Sequence, residues 1–287
     1  MSTTKCIICN KTPSNIIKII DNNKIVECID CNIAYTENFS YRKPPEKYYI
    51  FTQYNQSYKR YYFRFYHIYK KINKFVTNQG ELLDIGAGHG LFANVLLKHT
   101  KFKISVLEPY TGLKYIKKVK NITLYKSPIE TFLKNYHHHY DVITLIDVLE
   151  HLYKPDEKIN KIKNILNNDG LLIIQMPNYQ SLMAKICKHW SWWDVQEHPY
   201  HFTHKSIINL LKKSNYVVVN SETYEEFNDF KKNLFGNFTA INNVVIRRIL
   251  KVIIGIPILS FYIIFRPIIW YFNYGALMII IAKKNEN

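Results

Sequence analysis

Acidic residues are scarce in this chain: 22 Asp and Glu stand against 39 Lys and Arg, a net charge of +17 over 287 residues. That imbalance points toward an anionic partner, which could be nucleic acid, an acidic membrane surface or a phosphorylated substrate. There is no long basic block, however. The lysines are spread through a chain dense in Lys, Asn, Ile and Tyr, so AT-rich coding accounts for the excess equally well. Cysteine is scarce too. Of the five present, four fall in Cys-x-x-Cys pairs, which speaks against a disulfide scaffold and for metal ligation. The first ten residues lack the apolar core of a signal peptide, so a cytoplasmic location is expected. Wholesale disorder is excluded by a hydrophobic content of 47%, and the length accommodates one α/β domain of about 200 residues with additions.

What is present is centred on residues 81–92, Glu-Leu-Leu-Asp-Ile-Gly-Ala-Gly-His-Gly-Leu-Phe. Leu82 to Ile85 suit a buried strand. Gly86, Gly88 and Gly90 follow, and then Leu91, Phe92, Val95, Leu96 and Leu97 recur at helical spacing. A strand, a glycine turn and a helix start form a cradle for a nucleotide-like ligand, because the backbone must turn where a Cβ would clash. A dinucleotide fingerprint requires its third glycine three residues after the second, and Leu91 stands there. A second apolar run, Lys103 to Leu107, ends at Glu108, where a carboxylate suits the two hydroxyls of a ribose. Tyr140 to Ile146 reads as a further strand, followed by Asp147-Val-Leu-Glu-His-Leu.

Asp84-Ile-Gly-Ala-Gly-His-Gly90 resembles the (Asp/Glu)-x-Gly-x-Gly-x-Gly motif of the class I S-adenosylmethionine-dependent methyltransferases, and the stretch from Asp147 resembles the segment after their fourth strand. The resemblance covers 80–283. It implies a seven-stranded doubly wound, Rossmann-like α/β sheet with S-adenosyl-L-methionine as cofactor. The cofactor contacts it implies are Asp84, Gly86, Ala87, Gly88, Gly90, Glu108, Pro109, Asp147 and Val148, with Ile129 against the adenine. Ile122–Tyr125, Leu171–Gln175, Tyr216–Val219 and Gly275–Ala282 are expected as the third, fifth, sixth and seventh strands. The amphipathic run Lys158 to Leu166 is expected to be helical, Asn168-Asp169-Gly170 a turn, and Ser206–Lys213 a helix capped near Thr203.

Ahead of this domain, Cys6-x-x-Cys9 and Cys28-x-x-Cys31 lie 18 residues apart. Two thiolate knuckles at that interval match a structural four-cysteine zinc ribbon over 1–40, with Ile16–Ile20 and Lys24–Glu27 as its hairpin. A ribbon this small needs its Zn2+ to fold. Residues 41–79 carry aromatics at helical spacing, among them Tyr58, Tyr61, Tyr62, Phe65 and Tyr69, and read as a helical cap whose aromatics pack. The alternative, basic and aromatic residues contacting nucleic acid bases, is kept open.

Residues 188–204 hold three Trp and four His in 17 positions. Glu197-His-Pro-Tyr-His-Phe-Thr203 is similar to a segment of methyltransferases of coenzyme Q and surface-glycan synthesis. Trp and Tyr faces stack on sugar or quinone rings, and a histidine has the intrinsic pKa to accept a hydroxyl proton. His198 is the first candidate base and His201 the second, with His151 a further residue that could face substrate. The other reading makes Trp192, Trp193 and His198 a packed lid. Finally, 244–273 is an insertion in the domain 80–287. Ile249 to Phe265 is apolar apart from Lys251, and Arg247, Arg248 and Arg266 flank it. The strands on either side belong to one sheet, so a single membrane crossing is excluded. A monotopic hairpin or in-plane anchor is expected, with a buried helix or dimer interface as the alternative.

The function implied is methyl transfer, by O-methylation of a sugar, glycan or lipid-linked small molecule at a membrane surface. The alternatives are sugar C-methylation, which the ribbon favours, and methylation of RNA. Against RNA, the Asn/Asp-Pro-Pro-Tyr motif of base-amino methyltransferases is missing after the fourth strand.

Overall fold

A computed structural model describes residues 5–40, 54–76, 79–109, 121–187, 190–239 and 241–285. The elements run β1 (Asn15–Ile20), β2 (Asn23–Cys28), β3 (Ile33–Thr36), α1 (Tyr54–Ile72), β4 (Gln79–Ile85), α2 (Leu91–His99), β5 (Lys101–Leu107), β6 (Ile122–Tyr125) and α3 (Ile129–Asn135). They continue with β7 (Tyr140–Ile146), α4 (Pro155–Ile162), β8 (Leu166–Pro177), α5 (Leu182–Ile186), β9 (Tyr200–His201), α6 (His204–Lys213), β10 (Tyr216–Tyr224), α7 (Phe227–Gly236), α8 (Val244–Tyr271) and β11 (Leu277–Lys284). Of the expected cap, 41–53 and the side chains of Tyr58 and Tyr61 lie outside the described residues.

Seven strands form one sheet in the order β10-β11-β8-β7-β4-β5-β6. Pairing is parallel between β4 and β5, β4 and β7, β5 and β6, and β7 and β8. From β4 the chain winds outward to β5 and β6, then returns to start again at β7 on the other side. The order therefore reverses between β4 and β7, and in such sheets ligands bind at the carboxyl ends of the strands beside this switch point. The central strands are apolar on both faces: Leu82, Leu83, Val106, Val142, Ile143 and Leu145 are fully buried, as a parallel sheet covered on both sides requires.

The chain divides into two compact units. One comprises Met1–Phe39, Met176–Asn209 and Ser221–Ile279, the other Ser40–Gln175, Leu210–Asn220 and Ile280–Asn287. In the first unit β1, β2, β3 and β9 make a four-stranded sheet, β9 pairing Tyr200 with Tyr35 and His201 with Ala34. Its core joins Ile25, Ala34, Tyr179, Met183, Trp190, Trp193, Phe230 and Tyr262. In the second unit α1 packs along α2 through rings, Phe65 against Phe92 (centroids 5.8 Å) and Tyr69 stacked on His99 (5.3 Å).

Several expectations are revised. No turn breaks the chain at 168–170. Instead β8 is continuous, because the extra residues are absorbed as a bulge: Tyr140 faces Leu166 and Val142 faces Leu171, so two steps on β7 meet five on β8. Asp141 anchors the irregularity, accepting from Asn167 Nδ2 (2.6 Å) and from the Glu81 N–H (2.8 Å). The expected helix from Lys158 starts earlier, at Pro155, whose missing N–H costs nothing in a first turn. The sixth strand, β10, runs on to Tyr224. Thr203 does cap α6. Its Oγ1 accepts from the Ser206 N–H (3.0 Å) and its N–H donates to Ser206 Oγ (2.8 Å), a reciprocal capping pair.

The 244–273 segment contains no hairpin. It is a helix of 28 residues, long and apolar enough to cross a membrane by length and composition, with only 11% of its most apolar window buried. Gly255 and Pro257 do not interrupt it. Residues Lys251–Gly255 form a π-helical turn, and Pro257 falls in the first turn of the α-helix that resumes after it, where no donor is missed. Gly255 is required by packing, since a Cβ there would stand 2.5 Å from Phe235 Cε1. One face is tethered: the Tyr262 ring stacks on Phe230 (3.6 Å) and its hydroxyl donates to Glu225 Oε2 (3.1 Å), while Trp270 Nε1 donates to Tyr262 Oη (3.2 Å). The remaining surface exposes Val245, Ile253, Ile264, Phe265, Ile268 and Tyr271 to solvent.

Candidate functional site

Three carboxylates mark the carboxyl ends of the strands beside the switch point. Asp84 closes β4 and pairs in register with Val106 of β5 and Thr144 of β7. It is buried and accepts from the Thr144 hydroxyl (2.7 Å). Burial pushes its carboxyl up to about 7. The Thr144 hydrogen bond partly offsets this and the Glu108 charge adds to it. Glu108 follows β5, also buried, and its Oε2 accepts from the Gly88 N–H (2.9 Å). The glycine loop is thus fastened at both ends, because the Gly86 N–H donates to Leu107 O (2.8 Å) as well. Asp147, at the tip of β7, takes a left-handed backbone (φ 53). Pro109 and Ala87 are half-buried, and Ile129, opening α3, is buried.

The loop glycines are needed for different reasons. A Cβ on Gly86 would stand 2.5 Å from Val148 Cγ2, so packing against Val148 demands glycine there. At Gly88 (φ +53) no atom of the described residues lies within 4 Å of an added Cβ. Packing among the described residues leaves the space beside Gly88 open, at the position where the spacing expects a cradle. Gly90, also left-handed, caps α2. Asp84, Gly86, Gly88, Glu108, Asp147 and Val148 therefore lie in one unit, at one end of one sheet, where carboxylate acceptors stand beside a glycine loop.

Sequence reasoning missed Arg64. From α1 its Nη2 donates to Asp147 Oδ2 (2.5 Å) and to Gln175 Oε1 (3.0 Å), and the Asp147 N–H donates to Gln175 O (2.9 Å). One guanidinium thus ties α1 to the tips of β7 and β8. The only signal was a lone Arg within the aromatic run Tyr62-Phe63-Arg64-Phe65. Glu150 is buried, and neither of its carboxylate oxygens has a hydrogen-bond partner among the described residues. Burial and then the Asp147 charge raise its pKa well above the ordinary carboxylate value, and the Arg64 charge partly offsets them. His151 is half-buried at the end of the turn Leu149–His151.

His198 and His201 belong to the other unit. Thr36 Oγ1 donates to His198 O (2.7 Å), which uses its only proton. In its 3.0 Å contact with His201 Nε2 the histidine must then be the donor. Burial pushes His201 down to about 3, so the ring stays neutral, and its Nε2 proton is committed to Thr36. His198 is buried as well, with Nδ1 3.2 Å from Trp192 O.

In the same unit the sulfur atoms of Cys6, Cys9, Cys28 and Cys31 all lie within 4.8 Å of one another, Cys9 and Cys28 at 3.6 Å. Zn–S bonds of about 2.3 Å in a tetrahedron place sulfurs about 3.8 Å apart, so a cluster of this size could hold a zinc ion. Each knuckle closes alike: Asn10 and Asn32, directly after the second cysteine of each pair, take left-handed backbones (φ 63 and 51). Their N–H groups donate to Cys6 O and Cys28 O, both at 2.8 Å. The expected result of native mass spectrometry is one zinc per chain. Cys28→Ser should lose it together with the tryptophan emission of the folded protein; a metal-free chain from zinc-replete cells would refute the assignment.

Residues 58–221, more than half of the chain, match a family model described as a methyltransferase domain. No curated protein sequence matches. Among solved structures, a SAM-dependent methyltransferase from Archaeoglobus fulgidus is similar at 18% identity over 75% of this chain and 90% of its own, with a TM-score of 0.50. One from Thermotoga maritima is similar at 14% identity over 83% and 99%, with a TM-score of 0.51. At such identities the likeness speaks for the fold.

Proposed function

Since the chain belongs to the methyltransferase-domain family, we propose that it methylates a hydroxyl of a sugar, glycan or lipid-linked small molecule at a membrane surface, drawing on S-adenosylmethionine. The observation that carries the donor is the fastened glycine loop, with open space at Gly88 and with Asp84 and Glu108 on either side. When bound, the cofactor supplies an electrophilic methyl group. Asp84, ionised, would hold an ammonium. Glu108 would accept hydroxyl protons of a ribose while keeping the loop in place. Arg64 holds Asp147 at the floor of the site. His198 remains the proposed acceptor of the substrate hydroxyl's proton, and the commitment of His201 Nε2 to Thr36 makes His201 a positioning residue.

The acceptor class is supported by the tryptophan- and histidine-rich stretch 190–204 and by the exposed apolar face of α8. The cysteine cluster favours one second reading, sugar C-methylation, because a similar ribbon precedes some enzymes of that kind.

The test is calorimetric titration with S-adenosylhomocysteine from pH 6 to pH 8. Affinity should rise with pH, by up to about tenfold per unit below pH 7, as Asp84 sheds the proton that burial holds on it. Asp84→Asn should flatten the profile. On the ligand-free fold the same shift acts oppositely: its stabilising contribution is whole below about pH 4 and is lost as pH rises through about 7. No binding by folded, zinc-loaded protein at any pH would refute the donor assignment.

A further inference from the structure

The geometry points to a cleft for one or two uncharged sugar rings in the unit that carries the cysteine cluster. The end of β1 and the turn after it, Lys18 to Asp21, face the loop Trp190 to Gln196 across a half-open cavity of about 520 Å³, within the range of small-molecule sites. The proposal rests on the sugar-acceptor reading above for the chemistry of its natural occupant.

The walls are rigid. Trp193 meets Trp190 edge-to-face (5.5 Å), leans on Tyr179 (5.7 Å) and receives Lys18 Nζ over its ring (5.4 Å). Asp194 Oδ1 accepts from the N–H groups of Gln196 and Glu197, both at 3.2 Å, and the Ser191 N–H donates to Asn233 Oδ1 (3.0 Å). The loop backbone is therefore set before any ligand arrives, while the side chains of Ser191 and Gln196 point to solvent. The indole N–H groups of Trp190 and Trp193, residues only 3% and 9% exposed, find no acceptor among the described residues.

The lining selects among ligands by charge. Asp21 and Asp194 oppose a phosphate, and Lys18 opposes an ammonium. A neutral polyol avoids both penalties. Its hydroxyls donate to the carboxylates and accept from lysine and glutamine, and its C–H faces suit the indole rings and Ile20.

Three of the chain's four tryptophans are Trp190, Trp192 and Trp193, so intrinsic fluorescence reports on this cleft. The full-length, zinc-loaded protein is titrated with methyl glycosides of glucose, galactose and N-acetylglucosamine, with maltose and cellobiose, and separately with inorganic phosphate and tetramethylammonium. We expect a saturable change with at least one sugar in the millimolar range and none with either ion. The double variant Asp21→Ala/Gln196→Ala, confined to exposed side chains, should weaken binding at least tenfold, while alanine at the left-handed position 21 (φ 47) lowers the melting temperature by only a few degrees. A saturable response to phosphate, or sugar binding that survives in the double variant, would overturn the proposal. S-Adenosylhomocysteine titrated into the same sample separates the two readings. Its binding without any sugar response refutes the cleft alone, and a sugar response without its binding upholds the cleft and refutes the donor site.

Discussion

Gly88→Val abolishes binding of S-adenosylhomocysteine while lowering the melting temperature by only a few degrees. The two halves of this expectation come from separate observations. A Cβ at Gly88 meets no atom of the described residues within 4 Å, so the valine side chain displaces none of them and instead fills the space left for the cofactor. Its cost to the ligand-free protein is the left-handed backbone, φ +53, about 1–2 kcal/mol for a residue with a Cβ. For a chain of this size that moves the melting point by about 2–4 °C per kcal/mol. Gly86→Ala should behave oppositely: the added methyl collides with Val148 at 2.5 Å, so folding suffers first. Glu108→Ala should weaken binding by about 1.5–3 kcal/mol through loss of charged hydrogen bonds. Glu108→Gln should fall between, because its amide oxygen can still accept from the Gly88 N–H. Differential scanning fluorimetry beside calorimetry separates these outcomes, and a Gly88→Val protein that still binds would sink the site.

The second large effect concerns α8. Replacing 248–272 by a short linker should release the protein from liposomes, but it also removes Tyr262 and Trp270, which the first unit uses for its own packing. The sharper variant is Ile253→Asp/Ile264→Asp/Phe265→Asp, in which all three native side chains are solvent-exposed and none belongs to the core. Each apolar side chain of this size contributes about 1.5–3 kcal/mol when buried in hydrocarbon, so the triple variant should lose liposome co-sedimentation more than a hundredfold and keep its melting temperature. Arg247, Arg248, Lys251 and Arg266 lie along the same helix. A basic residue near an anionic surface adds about 1 kcal/mol, so vesicles containing phosphatidylglycerol should bind more tightly than phosphatidylcholine alone, and salt should erode the difference. Partitioning unchanged by the triple variant would refute membrane docking. A dimer that the same variant turns into monomer would assign the face to a second copy of the chain. A single crossing would part β10 and β11, which flank the helix and are hydrogen-bonded neighbours in one sheet, so docking of this helix on a membrane would require it to lie along the surface.

Much of the candidate site was legible because its determinants are local. A strand, three glycines at fixed spacing and a helix start lie within a dozen residues, and the Asp84 and Glu108 positions follow from strand length alone. The cysteine knuckles are local in the same way, each closed by its own asparagine. The Thr203 cap needed only Ser206 three residues on.

What the tertiary structure alone decided depends on residues far apart in the chain. Arg64 reaches Asp147 across 83 positions, and nothing in either neighbourhood announces the pair. His201, the second candidate base, is set apart only by Thr36, 165 positions away, which takes its Nε2 proton, and by burial, which lowers its basicity. Gly255 and Pro257 read as helix breakers by intrinsic preference, yet the helix continues: the Phe235 ring occupies the place where a Cβ at 255 would stand, and Pro257 follows a π-turn. Propensity and spacing are properties of a short window and therefore survive in the sequence. Desolvation, ion pairing and packing against a distant ring come into being only when the chain closes on itself, and they settle which of several chemically competent side chains is free to act.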